Sequence, residues 1–180
     1  MDTAVLVIPG IGNSGPGHWQ TLWEATDASM VRIQVADWDH PVCASWVESI
    51  DTQARSTDKS LVVVAHSLGC LAFAHWAVQC RRSIRGALLV AVPDPNGPNF
   101  PKRAKGFSDL PLLSLPCKSV VVSSEDDPYG NPEYAKSCAE AWGGEFVNIG
   151  RAGHINSASN LGIWPRGLQL LDGLRRCVSM

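Results

Sequence analysis

The chain has 180 residues, a formal net charge of −2, and 45% apolar against 18% charged residues. This length accommodates one domain with a sizeable core, and we expect a single domain over residues 1–180. The nearly balanced charge argues against a nucleic-acid-binding surface and against binding to an anionic membrane.

The uncharged stretch over residues 61–78 is long enough to raise the question of a membrane span. It changes midway from β-branched to helix-forming residues, so we expect a buried strand and a buried helix, and no membrane segment. No basic leader precedes the first strand. Six cysteines are scattered without a C-x-x-C pair or zinc-like spacing. We therefore expect a cytoplasmic protein with reduced cysteines, no bound metal and no cofactor.

A first strand over residues 3–8 runs into a glycine-rich loop over residues 9–17, and a helix follows from residue 18. In form the loop matches the G-x-G-x-x-G of dinucleotide-binding proteins, but a Pro-Gly pair breaks the helix that such a site needs. A Walker loop needs a lysine after its last glycine, and none is present. The remaining interpretation is an oxyanion loop, in which the backbone N–H of Ile11 or Gly12 reaches a developing negative charge.

A second strand is expected over residues 30–36, followed by a loop and an amphipathic helix over residues 41–57. His18, Trp19 and Trp38 stand on or next to the loops that follow the first two strands, and these loops leave the same edge of the sheet. The three residues are therefore candidates for the wall of a substrate pocket. Packing in the core or at a helix cap is the alternative that the sequence leaves open.

The third strand ends in Ala-His-Ser-Leu-Gly at residues 65–69, and an apolar, alanine-rich helical segment follows at once. A strand, a sharp turn and a helix with a serine at the corner form the nucleophile elbow, usually written G-x-S-x-G and here opened by Ala65. Small residues are needed on both sides of the serine because the backbone doubles back tightly. We expect Ser67 to be strained with its Oγ exposed, and the N–H of Leu68 to point the same way.

Three more strands and two more helices are expected, the strands over residues 86–92, 118–123 and 145–149 and the helices over residues 132–142 and about 163–178. Residues 93–116 are irregular and rich in Pro, Gly and Asn, so they should border the functional pocket or be mobile. Strands that alternate with helices predict a mostly parallel six-stranded sheet in a three-layer α/β/α sandwich. Functional crevices in such sheets lie beyond the carboxyl ends of the strands.

A serine hydroxyl is a poor nucleophile near neutral pH and needs a base, usually a histidine that a carboxylate orients. In α/β-hydrolases these residues follow the chain order Ser, Asp or Glu, His. His75 lies two turns into the helix after the elbow and points away from the strand ends, whereas His154 lies in the loop after the last strand. We therefore predict Ser67 as the nucleophile and His154 as the base.

The predicted acid is Asp127, because the proline that follows it favours an extended backbone and so limits where its carboxylate points. Two rivals remain. Asp126 lies beside it, and Asp94 follows the fourth strand and also precedes a proline.

Four motifs stand in order along the chain: Pro-Gly-x-Gly after the first strand, His-Ser-x-Gly at the elbow, Ser-x-Asp-Asp-Pro-aromatic after the fifth strand, and Gly-His-apolar-Asn near the end. Over nearly the whole length they resemble the small, cap-less serine hydrolases of the α/β-hydrolase fold typified by retinoblastoma-binding protein nine. The resemblance implies a six-stranded core without a lid domain and the triad Ser67, Asp127 and His154. The Leu-x-Cys-x-Glu-type motif of the vertebrate protein is absent, so partner binding is not carried over, and the protein partners stay unknown.

Two hypotheses about function follow. In the first, the protein is a serine hydrolase that cleaves a small ester, thioester or activated amide through an acyl-enzyme. A small-molecule acyl substrate is expected because the chain has no room for a cap that would bury a long lipid. In the second, the protein is mainly a protein-binding module whose hydrolase site is vestigial.

Overall fold

The computed structural model describes residues 3–80 and 82–176. The strands are β1 Thr3–Ile8, β2 Met30–Arg32, β3 Ser60–His66, β4 Ile84–Val90, β5 Lys118–Ser123 and β6 Glu145–Asn148. The α-helices are α1 Trp19–Glu24, α2 Cys43–Arg55, α3 Leu68–Ala77, α4 Pro132–Trp142 and α5 Pro165–Arg176, and a short 3-10 helix spans Ser157–Ser159. The strands form one sheet in the order β2-β1-β3-β4-β5-β6, and all of its neighbouring pairs are parallel. The predicted three-layer sandwich is confirmed.

Both faces of the sheet are apolar because helices cover both. Ile8, Val63 and Leu89 belong to the core shared with α2, α3 and α4. Val7 and Val64, which alternate with them, belong to the core shared with α1 and α5. Helix α3 is buried on nearly all sides, which explains why its sequence shows no polar face. Among the described residues, no helix is long and apolar enough to cross a bilayer.

Three strands differ from their predicted limits. Strand β6 ends at Asn148, one residue earlier than predicted, and β4 begins at Ile84, two residues earlier than predicted. Strand β2 ends at Arg32 because it is an edge strand that pairs only with β1. Its last backbone hydrogen bond to β1 among the described residues runs from the N–H of Ile33 to the Val7 carbonyl, at 3.1 Å. Strand β4 ends at Val90 because the chain turns at Ala91, which has a φ of 56°.

Two further predictions concern the last helix and the cysteines. Helix α5 begins at Pro165, two residues later than expected. Residues 177–180, and with them Cys177 and the predicted end of this helix, lie outside the described residues. The five cysteines that the structure does describe are unpaired.

At Gly69, helix α3 passes very close to the end of the first strand. A Cβ at this position would lie 2.4 Å from the carbonyl oxygen of Ile8 and 2.5 Å from that of Pro9. Both are backbone atoms, so the strand or the helix must move to accommodate a side chain. We expect Gly69→Ala to lower the free energy of unfolding by about 2–3 kcal/mol, measured by urea denaturation.

Gly173→Ala in α5 is the matched control, because an added methyl group there meets no atom within 4 Å. This variant should be as stable as the unaltered protein, or more stable by about 0.5–1 kcal/mol, since alanine favours a helix. Equal stabilities of the two variants would contradict the close approach at Gly69.

Candidate active site

Ser67 forms a strained turn between β3 and α3. Its φ of 54° and ψ of −125° lie in a region that side-chain-bearing residues rarely occupy. Its N–H donates to the Val90 carbonyl at 2.9 Å, which fixes the turn to the neighbouring strand. A Cβ on Gly10 would lie 2.9 Å from the Cβ of Ser67, so only glycine fits opposite the serine. The turn presents the Ser67 hydroxyl to a pocket beyond the carboxyl ends of the strands.

Three residues from distant parts of the chain meet at this hydroxyl. The Oγ of Ser67 lies 2.8 Å from Nε2 of His154, and Nδ1 of His154 lies 2.9 Å from both carboxylate oxygens of Asp127. A carboxylate only accepts hydrogen bonds, so Nδ1 carries the proton and Nε2 accepts from the serine hydroxyl. The Asp127 side chain is 1% exposed and also accepts the N–H of Tyr129 at 2.9 Å. This is the geometry of a nucleophile, its base and the acid that orients the base.

The two rival carboxylates lie elsewhere. Asp126 accepts the N–H of Gly153 at 2.8 Å and the hydroxyl of Ser124 at 2.9 Å, and these hydrogen bonds, the first above all, hold its pKa below the ordinary value. Asp126 therefore braces the loop one residue before His154. Asp94 accepts the N–H of Asn96 and makes no hydrogen bond with His154.

The loop that carries His154 is held from behind by two buried rings. The Nε1–H of Trp19 donates to the Ile155 carbonyl at 2.8 Å, and Nε2 of His66 lies 2.9 Å from the His154 carbonyl. Ile155 has a φ of 47°, which is unfavourable for a β-branched residue and needs such support. The imidazole of His154, the predicted base, is thus positioned by its neighbours.

Of the three predicted pocket-wall residues, only His18 lines the pocket. Trp19 is 1% exposed and supports the loop after His154. Trp38 packs edge-on against Trp46, with ring centres 5.4 Å apart. The structure therefore does not place Trp19 and Trp38 at the pocket wall, because their large indole rings bury more apolar surface among other core residues.

The predicted oxyanion donors also separate in the structure. The N–H of Leu68 belongs to the first residue of α3, where no acceptor within the helix exists and the helix dipole favours negative charge. The N–H of Gly12 instead donates to the Trp38 carbonyl at 2.9 Å, so this backbone group is already engaged. Within the described residues, no acceptor takes the N–H of Ile11, which lines the pocket. The geometry thus favours Ile11 over Gly12 as the partner of Leu68.

The pocket has a volume of about 440 Å³ and opens next to Ser67. Part of its wall consists of Pro93, Phe100 and Pro101. The irregular stretch over residues 93–116 therefore borders the pocket, which was the first of the two alternatives predicted for it. Tyr129 completes that side. The sequence did not single out these wall residues, because the composition of the stretch indicated a loop near the site but no periodic pattern showed which side chains face it. Across residues 3–80 and 82–176, no three His, Cys, Asp or Glu side chains meet in a way that could hold a metal ion.

A family model described as serine hydrolase matches residues 5–173. The chain belongs to the serine hydrolase family. The YdeN protein of Bacillus subtilis is 22% identical to it over 165 residues, which cover 86% of this chain and 87% of YdeN. The crystal structure of YdeN superposes with a TM-score of 0.79 at 17% identity, covering 97% of this chain and 99% of YdeN.

Two further solved structures are similar to this serine hydrolase. A YdeN-like protein from Pectobacterium atrosepticum has a TM-score of 0.87 and 28% identity, covering 98% of this chain and 93% of that one. The RedJ thioesterase from the prodiginine biosynthetic pathway of Streptomyces coelicolor has a TM-score of 0.63 and 14% identity, covering 98% and 91%. At 14% identity, the likeness to RedJ shows only that the two proteins share a fold. Together these structures identify the α/β-hydrolase-like fold, here without an evident cap domain.

Two buried histidines of the serine hydrolase lie next to His154, and burial keeps them neutral. The rings of His18 and His66 are 4.6 Å apart, and the ring of His66 is 5.0 Å from that of His154. Burial lowers the pKa of His18 from 6.5 to about 4, with smaller contributions from the nearby side chains of Arg32 and His154. Burial, followed by the neighbouring His154, also lowers the pKa of His66 well below its ordinary value. Because a carbonyl only accepts, the neutral ring of His66 donates its Nε2–H to His154.

His18 makes the stability of the protein depend on pH. The folded protein keeps His18 neutral down to about pH 4, whereas the unfolded chain binds a proton near pH 6.5. Unfolding therefore takes up a proton between these values, and stability falls as the pH is lowered through this window. We expect His18 to account for a loss of about 2–3 kcal/mol between pH 7 and pH 4.5.

The measurement is urea denaturation of the unaltered protein and of His18→Asn at both pH values. Asparagine keeps an acceptor at the helix N-cap, where Nδ1 of His18 accepts the N–H of Gln20 at 3.2 Å. The loss of stability on acidification should be smaller in the variant by the stated amount. The carboxylates and His66 are present in both proteins, and because His18 also lowers the pKa of His66, the difference between the two proteins reports His18 together with its effect on His66. An identical loss in both proteins would show that His18 is not held neutral.

Proposed function

We propose that this serine hydrolase cleaves a small ester, thioester or activated amide through an acyl-enzyme formed on Ser67. The observation that carries the proposal is the continuous hydrogen-bonded series from the Ser67 hydroxyl through His154 to the buried carboxylate of Asp127. The pocket volume of about 440 Å³ lies in the range of small-molecule sites, which supports a small-molecule acyl substrate. The thioesterase among the similar structures supports including thioesters.

In the proposed mechanism, the Ser67 Oγ attacks the acyl carbonyl while Nε2 of His154 takes the hydroxyl proton. Asp127 holds the Nδ1–H and stabilises the imidazolium that forms. The N–H groups of Leu68 and Ile11 donate to the oxyanion, each worth about 10²–10³ in rate. The tetrahedral intermediate then expels the alcohol, thiol or amine, which leaves with the proton from His154.

The second half of the reaction repeats these roles with water. His154 takes a proton from a water molecule, which attacks the acyl carbon on Ser67. The new intermediate collapses to release a carboxylic acid, and the proton returns from His154 to the Oγ of Ser67. We propose that the single domain over residues 1–180 contains the whole site. The cytoplasmic location and the specific likeness to retinoblastoma-binding protein nine stay predictions from the sequence.

A fluorophosphonate probe tests the proposal directly, because it forms a covalent bond only with an activated serine. We expect the full chain to be labelled, with the adduct on the peptide that contains Ser67 by mass spectrometry. Competition with a panel of acyl esters, thioesters and activated amides then ranks the substrates. A folded protein that takes no label would support the alternative, a binding module with a vestigial site.

A further inference from the structure

The pocket of the candidate active site has an uneven distribution of charge. Its wall contains one permanently charged side chain, Arg103, and none of the described residues that line it is Asp or Glu. The carboxylate of Asp127 is almost fully buried, and its oxygens are occupied by His154 and Tyr129. Arg103 is exposed and forms no ion pair with an acidic residue of the part of the chain that the structure describes. A substrate in this pocket therefore meets a single positive charge that no acidic residue within the described part of the chain pairs with.

Arg103 stands at the tip of a tight turn. The N–H of Ala104 donates to the Pro101 carbonyl at 2.9 Å, so Lys102 and Arg103 are the two central residues of the turn. Arg103 lines the pocket and Lys102 does not. The same turn thus holds two cations, of which one faces the substrate site.

This turn is fixed on both sides. Before it, Nδ2 of Asn99 donates to the Pro128 carbonyl at 2.8 Å, next to the loop of the predicted acid. After it, the N–H of Lys105 donates to the Pro41 carbonyl at 2.9 Å, next to the start of α2. The backbone beneath Arg103 is therefore held in place, and only the side chain has to be ordered when a ligand binds.

Two asparagines on the pocket wall add neutral donors. Oδ1 of Asn13 accepts the Ser14 N–H at 2.8 Å and an Arg32 Nη1–H at 2.8 Å, and Oδ1 of Asn156 accepts the Ala158 N–H at 3.0 Å. The partner groups are N–H donors, so the side-chain atoms that accept from them must be the amide oxygens and not the amide nitrogens. Neither Nδ2 group donates to another described residue. The side chains thus offer the pocket amide donors, while each amide oxygen already accepts at least one hydrogen bond.

We propose that the substrate of this site carries a carboxylate, which Arg103 binds while Ser67 attacks the ester or thioester carbonyl. The inference rests on the proposed function and narrows its substrate class. A carboxylate matches the planar donor pair of a guanidinium, and its remaining lone pairs suit the amide donors of Asn13 and Asn156. An uncharged ester leaves Arg103 hydrated and gains nothing from it, and a cationic ester is repelled.

The test compares charged and uncharged versions of two substrates with the full chain. In the first pair the acyl half carries the charge: the p-nitrophenyl half-ester of adipic acid and its methyl ester. In the second pair the leaving group carries it: 4-carboxyphenyl pentanoate and its methyl ester. Comparing each variant with the unaltered protein cancels the intrinsic reactivity of the substrates. The two pairs show which half of the substrate Arg103 contacts.

In at least one pair, Arg103→Gln should lower kcat/KM for the carboxylate substrate about tenfold more than for its methyl ester, as expected for one partly solvated charge-assisted hydrogen bond. Arg103→Lys should restore part of this preference, since it keeps the charge without the planar fork. Lys102→Gln removes a positive charge from the same turn. It should leave the ratio of kcat/KM between the two substrates of each pair unchanged.

Two results would overturn the inference. In the first, Arg103→Gln lowers kcat/KM equally for the charged and the uncharged substrates of both pairs. In the second, Lys102→Gln causes the same selective loss as Arg103→Gln, which would indicate a general electrostatic effect of the turn instead of a contact with Arg103. If the unaltered protein hydrolyses no member of either pair, the proposed function itself fails, and this inference fails with it. Hydrolysis without any preference that depends on Arg103 leaves the proposed function standing and refutes the carboxylate alone.

Discussion

Ser67→Ala is expected to lower kcat/KM for an activated ester by about 10⁴-fold or more, because the three residues of a triad act as a unit and no other group can form the acyl-enzyme. The loss should lie in kcat, since the substrate still reaches the pocket and the N–H groups of Leu68 and Ile11. The fluorophosphonate label should disappear in the same variant. Thermal unfolding should change little, because among the residues that the structure describes the Ser67 side chain hydrogen-bonds only with His154.

Ser157→Ala is the matched control for this loss. Ser157 also lines the pocket and is exposed, but its hydroxyl has no hydrogen bond with His154. We expect this variant to keep its kcat within about threefold of the unaltered protein and to take the label. A Ser67→Ala protein that keeps more than a tenth of the activity would refute Ser67 as the nucleophile.

Asp127→Asn is expected to lower kcat by about 10³- to 10⁴-fold without loss of the fold. An asparagine amide group can turn its N–H toward Nδ1 of His154 and so favour the tautomer that carries its proton on Nε2. That nitrogen then cannot accept the proton of Ser67, which lies 2.8 Å away. The measurement is the rate of ester hydrolysis at constant pH, with circular dichroism to show that the variant is folded.

Asp126→Asn separates the two adjacent carboxylates. An asparagine there retains an oxygen that can accept the N–H of Gly153 and the hydroxyl of Ser124, so the brace behind His154 survives in part. We expect a loss of less than about tenfold, since Nδ1 of the imidazole hydrogen-bonds with Asp127 and not with Asp126. If Asp126→Asn lost more activity than Asp127→Asn, the assignment of the acid would be wrong.

The sequence predicted most of the sheet because its strands carry dense, local signals. Strands β1 and β5 and helix α4 begin and end where the apolar runs and the adjacent Pro and Gly residues place them. Strand β2 was predicted too long because pairing partners, rather than β-branched residues, decide where an edge strand ends. In the same way, the positive φ of Ala91 that ends β4 has no signal in an alanine.

Several contacts around the site had no local signal at all. Gln20 is fully buried, and its Nε2 donates to the carbonyls of Ile8 and Val64 at 3.3 and 3.1 Å, which ties α1 to the ends of two strands beside the elbow. A glutamine in the first turn of a helix normally indicates a surface. Only its neighbours in space reveal that it supports the site.

By itself, the sequence determined the order of the layers, the serine turn and the three residues that the structure brings together, because each depends on chemistry within a few positions: small residues around Ser67, a proline after Asp127, a glycine before His154. The tertiary structure alone decided which neighbouring groups are available to a substrate. The indole N–H of Trp19 donates to the Ile155 carbonyl, 136 positions away, and the N–H of Gly12 donates to the Trp38 carbonyl. The physical reason is that buried donors must find acceptors, and those acceptors come from distant parts of the chain that local patterns do not identify.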